Sequence, residues 1–264
     1  MSYASAIVLA AGEGVRFSRF NHFSSRIGIP TRISKMIKSG KSNISKPLIE
    51  VNSKPVIIYC LNTVSKHPFI RDIVVVANPG NLKDIISKIK EYQIRKIKDV
   101  VLGGRLRQHS VINGLKAINP KTELVLIHDG VRPFIDQAMV SSVIKAAKSS
   151  GAAIVGLPVK ATIKEVHGSW FMPAGRQGMV HGSSIVKKTL NRDNLWEVQT
   201  PQVFRKDLIL EAYKKFGNKE VTDDAALVEK LGTKVKIVMG SYFNIKITTP
   251  EDLIIAEAIA KAQV

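Results

Sequence analysis

One cysteine, Cys60, stands among 264 residues. An internal disulfide and a cysteine-based zinc cluster are therefore excluded. No run approaches the ~20 apolar residues of a membrane span. The start lacks the basic segment of a signal peptide, since Ala6-Ile7-Val8-Leu9-Ala10 runs directly into glycines. The expectation is a cytoplasmic protein of a reducing compartment. Aromatics are only 6% of the chain, and no helix-turn-helix, zinc-finger or RNA-recognition pattern occurs. No serine, histidine and aspartate set or Cys-His pair marks a nucleophilic enzyme. Acids are scarce: 21 Asp and Glu face 40 Lys and Arg, a formal charge of +19. Such a surplus predicts anionic partners and leaves open nucleic acid, a nucleotide or a phosphorylated metabolite.

Hydrophobic residues make up 45% of the chain, enough for a sizeable core. Short apolar runs predict strands at 3–10, 70–77, 100–102, 124–128, 152–159 and 234–239. Helical spacing falls between them, at 56–64, 81–92, 110–118, 140–147, 206–216 and 223–231, with Thr222 as a cap for the last. A final helix starts at Thr249-Pro250, with Asp252 three residues after the cap, and ends near Ala262. Strands alternating with helices, and apolar along their length, predict an α/β fold with a mostly parallel sheet covered on both faces. Two segments break the rhythm. Residues 17–45 carry six basic residues and no acid, long for a connection. Residues 160–194 are rich in Gly, His and Ser and read as an excursion of paired strands.

Ala10-Ala11-Gly12-Glu13-Gly14-Val15-Arg16 follows the first strand directly. Small residues at the carboxyl end of a parallel strand let backbone N–H groups approach a phosphate, and Arg16 adds charge. The spacing matches neither the dinucleotide fingerprint nor a Walker loop; a plain tight turn is the competing reading. Lys46-Pro47-Leu48, before Lys54-Pro55, adds a second basic element. Asp129 closes the apolar run Leu124-Val125-Leu126-Ile127-His128, a place suited either to a hard oxygen ligand or to a turn.

These pieces join Gly103-Gly104 with Arg107 and Ser110, Asp129-Gly130-Val131-Arg132-Pro133, Thr162-Ile163-Lys164, Arg192 with Leu195-Trp196, Gln199-Thr200-Pro201-Gln202, Thr222-Asp223-Asp224-Ala225 and Asn244-Ile245-Lys246. In this order they make the chain resemble the 2-C-methyl-D-erythritol 4-phosphate cytidylyltransferases, of the sugar-nucleotidyltransferase group. The resemblance implies a Rossmann-like nucleotidyltransferase fold with a projecting β-arm. It implies one domain over 1–264, a basic inserted loop at 17–45 and a dimerisation arm at about 160–194. The implied reaction moves CMP from CTP to methylerythritol phosphate in the methylerythritol phosphate route to isoprenoids, in a cytoplasmic homodimer using Mg²⁺.

The resemblance also distributes roles. Ala10, Ala11, Gly12, Gly14 and Arg16 would wrap the triphosphate with Lys46. Gly103, Gly104 and Ser110 would read cytosine and ribose. Asp129 would ligate Mg²⁺ and, with Arg132, Thr162, Arg192 and Lys246, would surround the acceptor. Arg16, Lys46, Arg192 and Lys246 would carry catalysis, with Thr162 and Arg192 entering the partner's site. The chemistry agrees: both reactants are anions, so fixed cations and a metal should dominate, and a phosphate monoester needs no protein nucleophile. This sequence departs from the family pattern at Ser45, where proline is usual, at Ala161, where aspartate is usual, and in the length of both unusual segments. Two alternatives are carried: a pentitol-phosphate cytidylyltransferase acting on ribitol 5-phosphate, and a non-enzymatic basic protein that binds nucleic acid.

Overall fold

A computed structural model describes residues 3–12, 45–167, 185–218 and 221–262. In chain order it contains β1 (Ala4–Ala10), a 3-10 turn (Lys46–Leu48), the short antiparallel pair β2 (Glu50–Val51) and β3 (Lys54–Pro55), and α1 (Val56–Lys66). Then come β4 (Ile70–Ala77), α2 (Leu82–Glu91), β5 (Ile97–Leu102), α3 (Arg107–Ala117), β6 (Leu124–Asp129), α4 (Gln137–Ser150) and β7 (Ala152–Pro158). The rest is β8 (Lys164–His167), β9 (Ile185–Thr189), β10 (Trp196–Arg205), α5 (Lys206–Phe216), α6 (Ala225–Glu229), β11 (Lys236–Met239) and α7 (Pro250–Ala262).

Seven strands form one sheet in the order β11-β7-β10-β6-β1-β4-β5. All seven residues of β1 are buried, because helices cover both faces of the sheet. Its alternating side chains divide between two cores. Ala6, Val8 and Ala10 meet α1, α2 and α4, whereas Ile7 and Leu9 meet α3, α5 and α6. A third cluster seats α7 through Leu253, Ala256 and Ile259 on Val51, Phe134 and Ile247. This last contact ties the C-terminal helix to β2 and to the segment after β6.

The expected strands at 3–10, 70–77 and 152–159 and the helix at 206–216 are found within a residue or two of their limits. The start of α7 is also as read: Asp252 Oδ2 accepts from the backbone N–H of Thr248 at 2.7 Å and of Thr249 at 2.8 Å. Other features differ, among them the starts of β5 at Ile97 and of α4 at Gln137, each three residues before the expected position. Strand β10 was not expected, because Gln199-Thr200-Pro201-Gln202 interrupts its apolar pattern; the register against β7 shifts between Gln199 and Gln202 to accommodate it. β10 runs antiparallel to both β6 and β7, so the sheet is mixed. The helix expected over 223–231 is only α6, and Thr222 does not cap it. Gln202 Oε1 accepts from Ala225 N at 3.3 Å and Asp223 Oδ1 from Ala226 N at 3.1 Å. α3 begins at Arg107 rather than Ser110, its polar first turn having concealed it.

Between β7 and β10, β8 and β9 pair antiparallel as a separate two-stranded sheet, with every β9 residue exposed. This is the projecting β-arm. Residues 168–184, including Trp170-Phe171-Met172-Pro173, lie outside the described residues, as do 13–44 with nearly all of the basic segment. Among the described residues no helix is long and apolar enough to cross a membrane.

Candidate active site

The parallel strands β1, β4, β5 and β6 end on one side of the sheet, with Leu9 in register with Asp129 and Ala77 with Leu102. A cleft of about 680 Å³ opens there. It gathers Ala10, Ala11 and Gly12 from the exit of β1, and Gly103, Gly104 and Ser110 from the turn into α3. It also takes in Lys46, Asp129 and Lys246. Sequence-predicted residues from five separate stretches thus share one cavity. Gly14 and Arg16 lie outside the described residues.

Close approach explains one of these glycines. A Cβ on Gly103 would lie 2.5 Å from Ala11 Cβ and 2.6 Å from Ser110 Oγ. Only glycine lets the two cleft walls meet there. Gly104 N donates to Ser110 Oγ at 3.2 Å, which fixes that turn on the first turns of α3. Lys46, nearly buried, donates from Nζ to the Thr248 carbonyl at 2.9 Å, so the front of the molecule meets the segment before α7.

A second cavity of about 370 Å³ adjoins the first and is lined by Arg132, Gln202, Thr222 and Asp223. Arg107, Asp129 and Lys246 line both. Lys246 Nζ lies 2.8 Å from Asp129 Oδ2, Arg107 Nε 3.6 Å from Oδ1, and Arg132 Nε 4.0 Å from Oδ2. Burial by itself would raise the Asp129 pKa, but Lys246 and Arg107 reverse this and hold the carboxyl well below the usual range. Arg107 also meets Asp224 Oδ2 at 2.8 Å, and buried Asp224 accepts the Tyr213 hydroxyl. Burial opposes the charge on Arg107; Asp224 and Asp129 more than restore it. The linings of the two cavities together carry five cations, Lys46, Arg105, Arg107, Arg132 and Lys246, against three carboxylates, Asp129, Asp223 and Glu229. They are therefore cationic by two formal charges, which suits polyanionic reactants.

His128 is fully buried. Its Nε2 lies 3.0 Å from the Arg132 carbonyl, which only accepts, so Nε2 carries the proton and Nδ1 receives the Thr200 hydroxyl at 3.1 Å. Thr200 Oγ1 in turn accepts from Asp129 N at 3.1 Å. Burial pushes the imidazole down to about 4, and the ring is a neutral support for the Asp129–Arg132 turn. Arg132 Nη1 donates to the Asn244 carbonyl at 2.8 Å, and Asn244 Nδ2 donates to the Thr200 carbonyl at 2.9 Å. These bonds carry the segment that bears Lys246 to the cleft.

Thr162 and Arg192 are not brought to this site within their own chain. Both are exposed at the root of the arm and line neither cavity. Arg192 Nη1 donates to the Lys160 carbonyl. Sequence reasoning gave no role to Arg107, although it stood inside a recognised motif, nor to Asn78, Thr248 or Asp224. Asp224, also inside a recognised motif, acts through Arg107 on α3 and Tyr213 on α5, contacts that its own stretch of sequence does not reveal.

Asp129 tests the expected metal ligand. Its oxygens already face an ammonium and two guanidinium groups. Among the described residues no three His, Cys, Asp or Glu side chains gather into a metal-holding group. A cage of protein side chains for a divalent ion does not fit this donor set.

The chain matches the family model for 2-C-methyl-D-erythritol 4-phosphate cytidylyltransferase over residues 37–262. A protein of that name from Syntrophus aciditrophicus is 43% identical over 226 residues, 84% of this chain and 91% of the relative. Another from Pelotomaculum thermopropionicum is 40% identical across 100% of this chain and 96% of its own. Among solved structures, the 4-diphosphocytidyl-2C-methyl-D-erythritol synthase of Anaerococcus prevotii superposes with a TM-score of 0.75 at 33% identity, covering 98% of this chain and 96% of that one.

Proposed function

The chain belongs to the 2-C-methyl-D-erythritol 4-phosphate cytidylyltransferase family, and from that premise we infer that it transfers CMP from CTP to 2-C-methyl-D-erythritol 4-phosphate. The products are 4-diphosphocytidyl-2-C-methyl-D-erythritol and pyrophosphate. An acceptor phosphate oxygen bonds to the α-phosphorus of CTP, and the bond from that phosphorus to the oxygen leading to the β-phosphate breaks. The single observation that carries the reading is the pair of adjoining cavities with Arg107, Asp129 and Lys246 on their common wall. One cavity is sized for a nucleotide, the other for a small phosphorylated acceptor, and the reacting atoms would meet between them. The relatives give no support to a pentitol phosphate as acceptor or to a non-enzymatic nucleic-acid binder.

In this reading Ala10, Ala11, Gly12 and Lys46 bind the triphosphate, with Gly14 and Arg16 completing the loop. Gly103, Gly104 and Ser110 hold the cytidine. Lys246 stands where charge develops on the phosphorus, and Arg132 faces the acceptor phosphate. Asp129 holds Lys246 and Arg107 in place. Family membership carries the general cofactor class, CTP with a divalent metal. Asp129, already faced by Lys246, Arg107 and Arg132, does not fit as the ligand of that metal.

The remaining assignments rest on the same premise. We read residues 1–264 as one nucleotidyltransferase domain with the basic segment inserted at 17–45. The arm at about 160–194 would join two copies, carrying Thr162 and Arg192 into the partner's cleft; their exposure outside both cavities of their own chain supports this. We place the reaction in the cytoplasm. The test is turnover with CTP and Mg²⁺ against methylerythritol phosphate and ribitol 5-phosphate in parallel. Turnover with the first is expected; turnover with ribitol 5-phosphate alone overturns the assignment.

A further inference from the structure

Lys46 follows Gly12 by 34 positions, yet both line one cleft. What holds the two ends of that stretch together is a buried asparagine on the neighbouring strand's exit. Asn81, 1% exposed, precedes α2. Its Nδ2 donates to the Ala10 carbonyl at 2.9 Å and to Ser45 Oγ at 2.9 Å. Its Oδ1 accepts from Asn78 N at 2.9 Å, and its own N donates to Asn78 Oδ1 at 3.0 Å. Asn78 Nδ2 reaches the Ala11 carbonyl at 3.3 Å. The side chain of Asn81 thus spends both donors and its acceptor on fixed partners, in a place where an unmet amide would be costly.

The geometry points to Asn81 and Ser45 as positioning residues for the nucleotide: together they clamp the outgoing end of β1 to the residue that precedes Lys46. The Ser45 carbonyl also accepts from Leu48 N at 2.9 Å, so the clamp fixes the first turn in which Lys46 sits. Lys46 is then stretched between two supports, the clamp at its backbone and the Thr248 carbonyl at its ammonium. Neither Asn81 nor Ser45 lines the cleft. Each acts through Ala10, Ala11 and Lys46, which do. This deepens the proposed function and rests on its reading of Lys46 as a triphosphate ligand.

The experiment is steady-state CTP kinetics of the full chain carrying Ser45→Ala, Asn81→Asp, both together, Ser45→Thr, or Lys46→Ala. Asn81→Asp keeps shape and the acceptor but loses both donations. Ser45→Ala removes one acceptor at a half-buried site and keeps the test alive if the Asn81 variant folds poorly. Ser45→Ala should raise the KM for CTP about 5-fold, and Asn81→Asp at least as much, with the KM for the acceptor unchanged, on the scale of one or two lost hydrogen bonds. The double variant should match Asn81→Asp within about twofold, since the Ser45 partner is already gone. Ser45→Thr, which keeps a hydroxyl, should restore the wild-type KM. A merely structural role would lower the folded fraction and kcat while leaving the KM for CTP alone, and that result overturns the clamp. Multiplying effects in the double variant overturn it too. If Lys46→Ala is crippled while the clamp variants are silent, the clamp alone falls. If Lys46→Ala is itself silent, the triphosphate role of Lys46 falls and the clamp with it.

Discussion

Replacing Lys246 by alanine removes the one ammonium that, among the described residues, is common to both cavities. Its Nζ lies 2.8 Å from Asp129 Oδ2, and its side chain is 39% exposed. Two unit charges about 4 Å apart interact by about 1 kcal/mol in bulk water and about 4 kcal/mol at an effective dielectric near 20. A half-exposed lysine falls between these limits, so loss of its attraction for the charge developing at phosphorus should cost about 2 to 3 kcal/mol. That is roughly a 10²-fold fall in kcat, within the range for removal of one preorganised electrostatic group. Arg107 and Arg132 remain beside Asp129, so the fold should survive and the carboxyl should stay ionised. The assay is pyrophosphate release with each substrate varied in turn, alongside thermal unfolding of the same samples. A fall in kcat below about fivefold, in a folded protein, would refute the placing of Lys246 at the reacting centre. A rise in one KM with kcat unchanged would instead make it a ground-state ligand.

Two further outcomes are expected. Mixing Asp129→Ala with Arg192→Ala subunits should recover activity up to about a quarter of wild type, because half of randomly formed dimers are mixed and each then holds one intact site; no recovery on mixing refutes the crossed arm. Acid should destabilise the fold through His128. The unfolded chain takes up its proton near 6.5, whereas burial delays this in the folded chain to about 4. The contribution is therefore complete above about pH 6.5 and lost as the pH falls towards 4, about 2 kcal/mol of it by pH 5. Urea unfolding of wild type and His128→Gln between pH 7.5 and 5 should show a shallower pH dependence in the variant; equal slopes refute the assignment.

The sequence by itself determined the strands and helices whose signals are local. Ile70–Ala77 carries the apolar run Ile73-Val74-Val75-Val76-Ala77 and is a strand buried everywhere but Arg71. Thr248, Thr249 and Asp252 form a capping arrangement within five residues. The residues of the cleft were legible for the same reason: glycines and lysines beside strand ends carry their meaning in composition and order. Strand β10 was hidden because its proline and glutamines suit a register shift, which exists only against a partner strand. Arg107 drew its importance from Asp224, 117 positions later, and Asn81 from Ala10 and Ser45 on either side of a long insertion. Those contacts are long-range by nature. A sequence states which groups are present, but charge pairs and buried hydrogen bonds act over a few ångströms, and only the packed sheet decides which groups come that close.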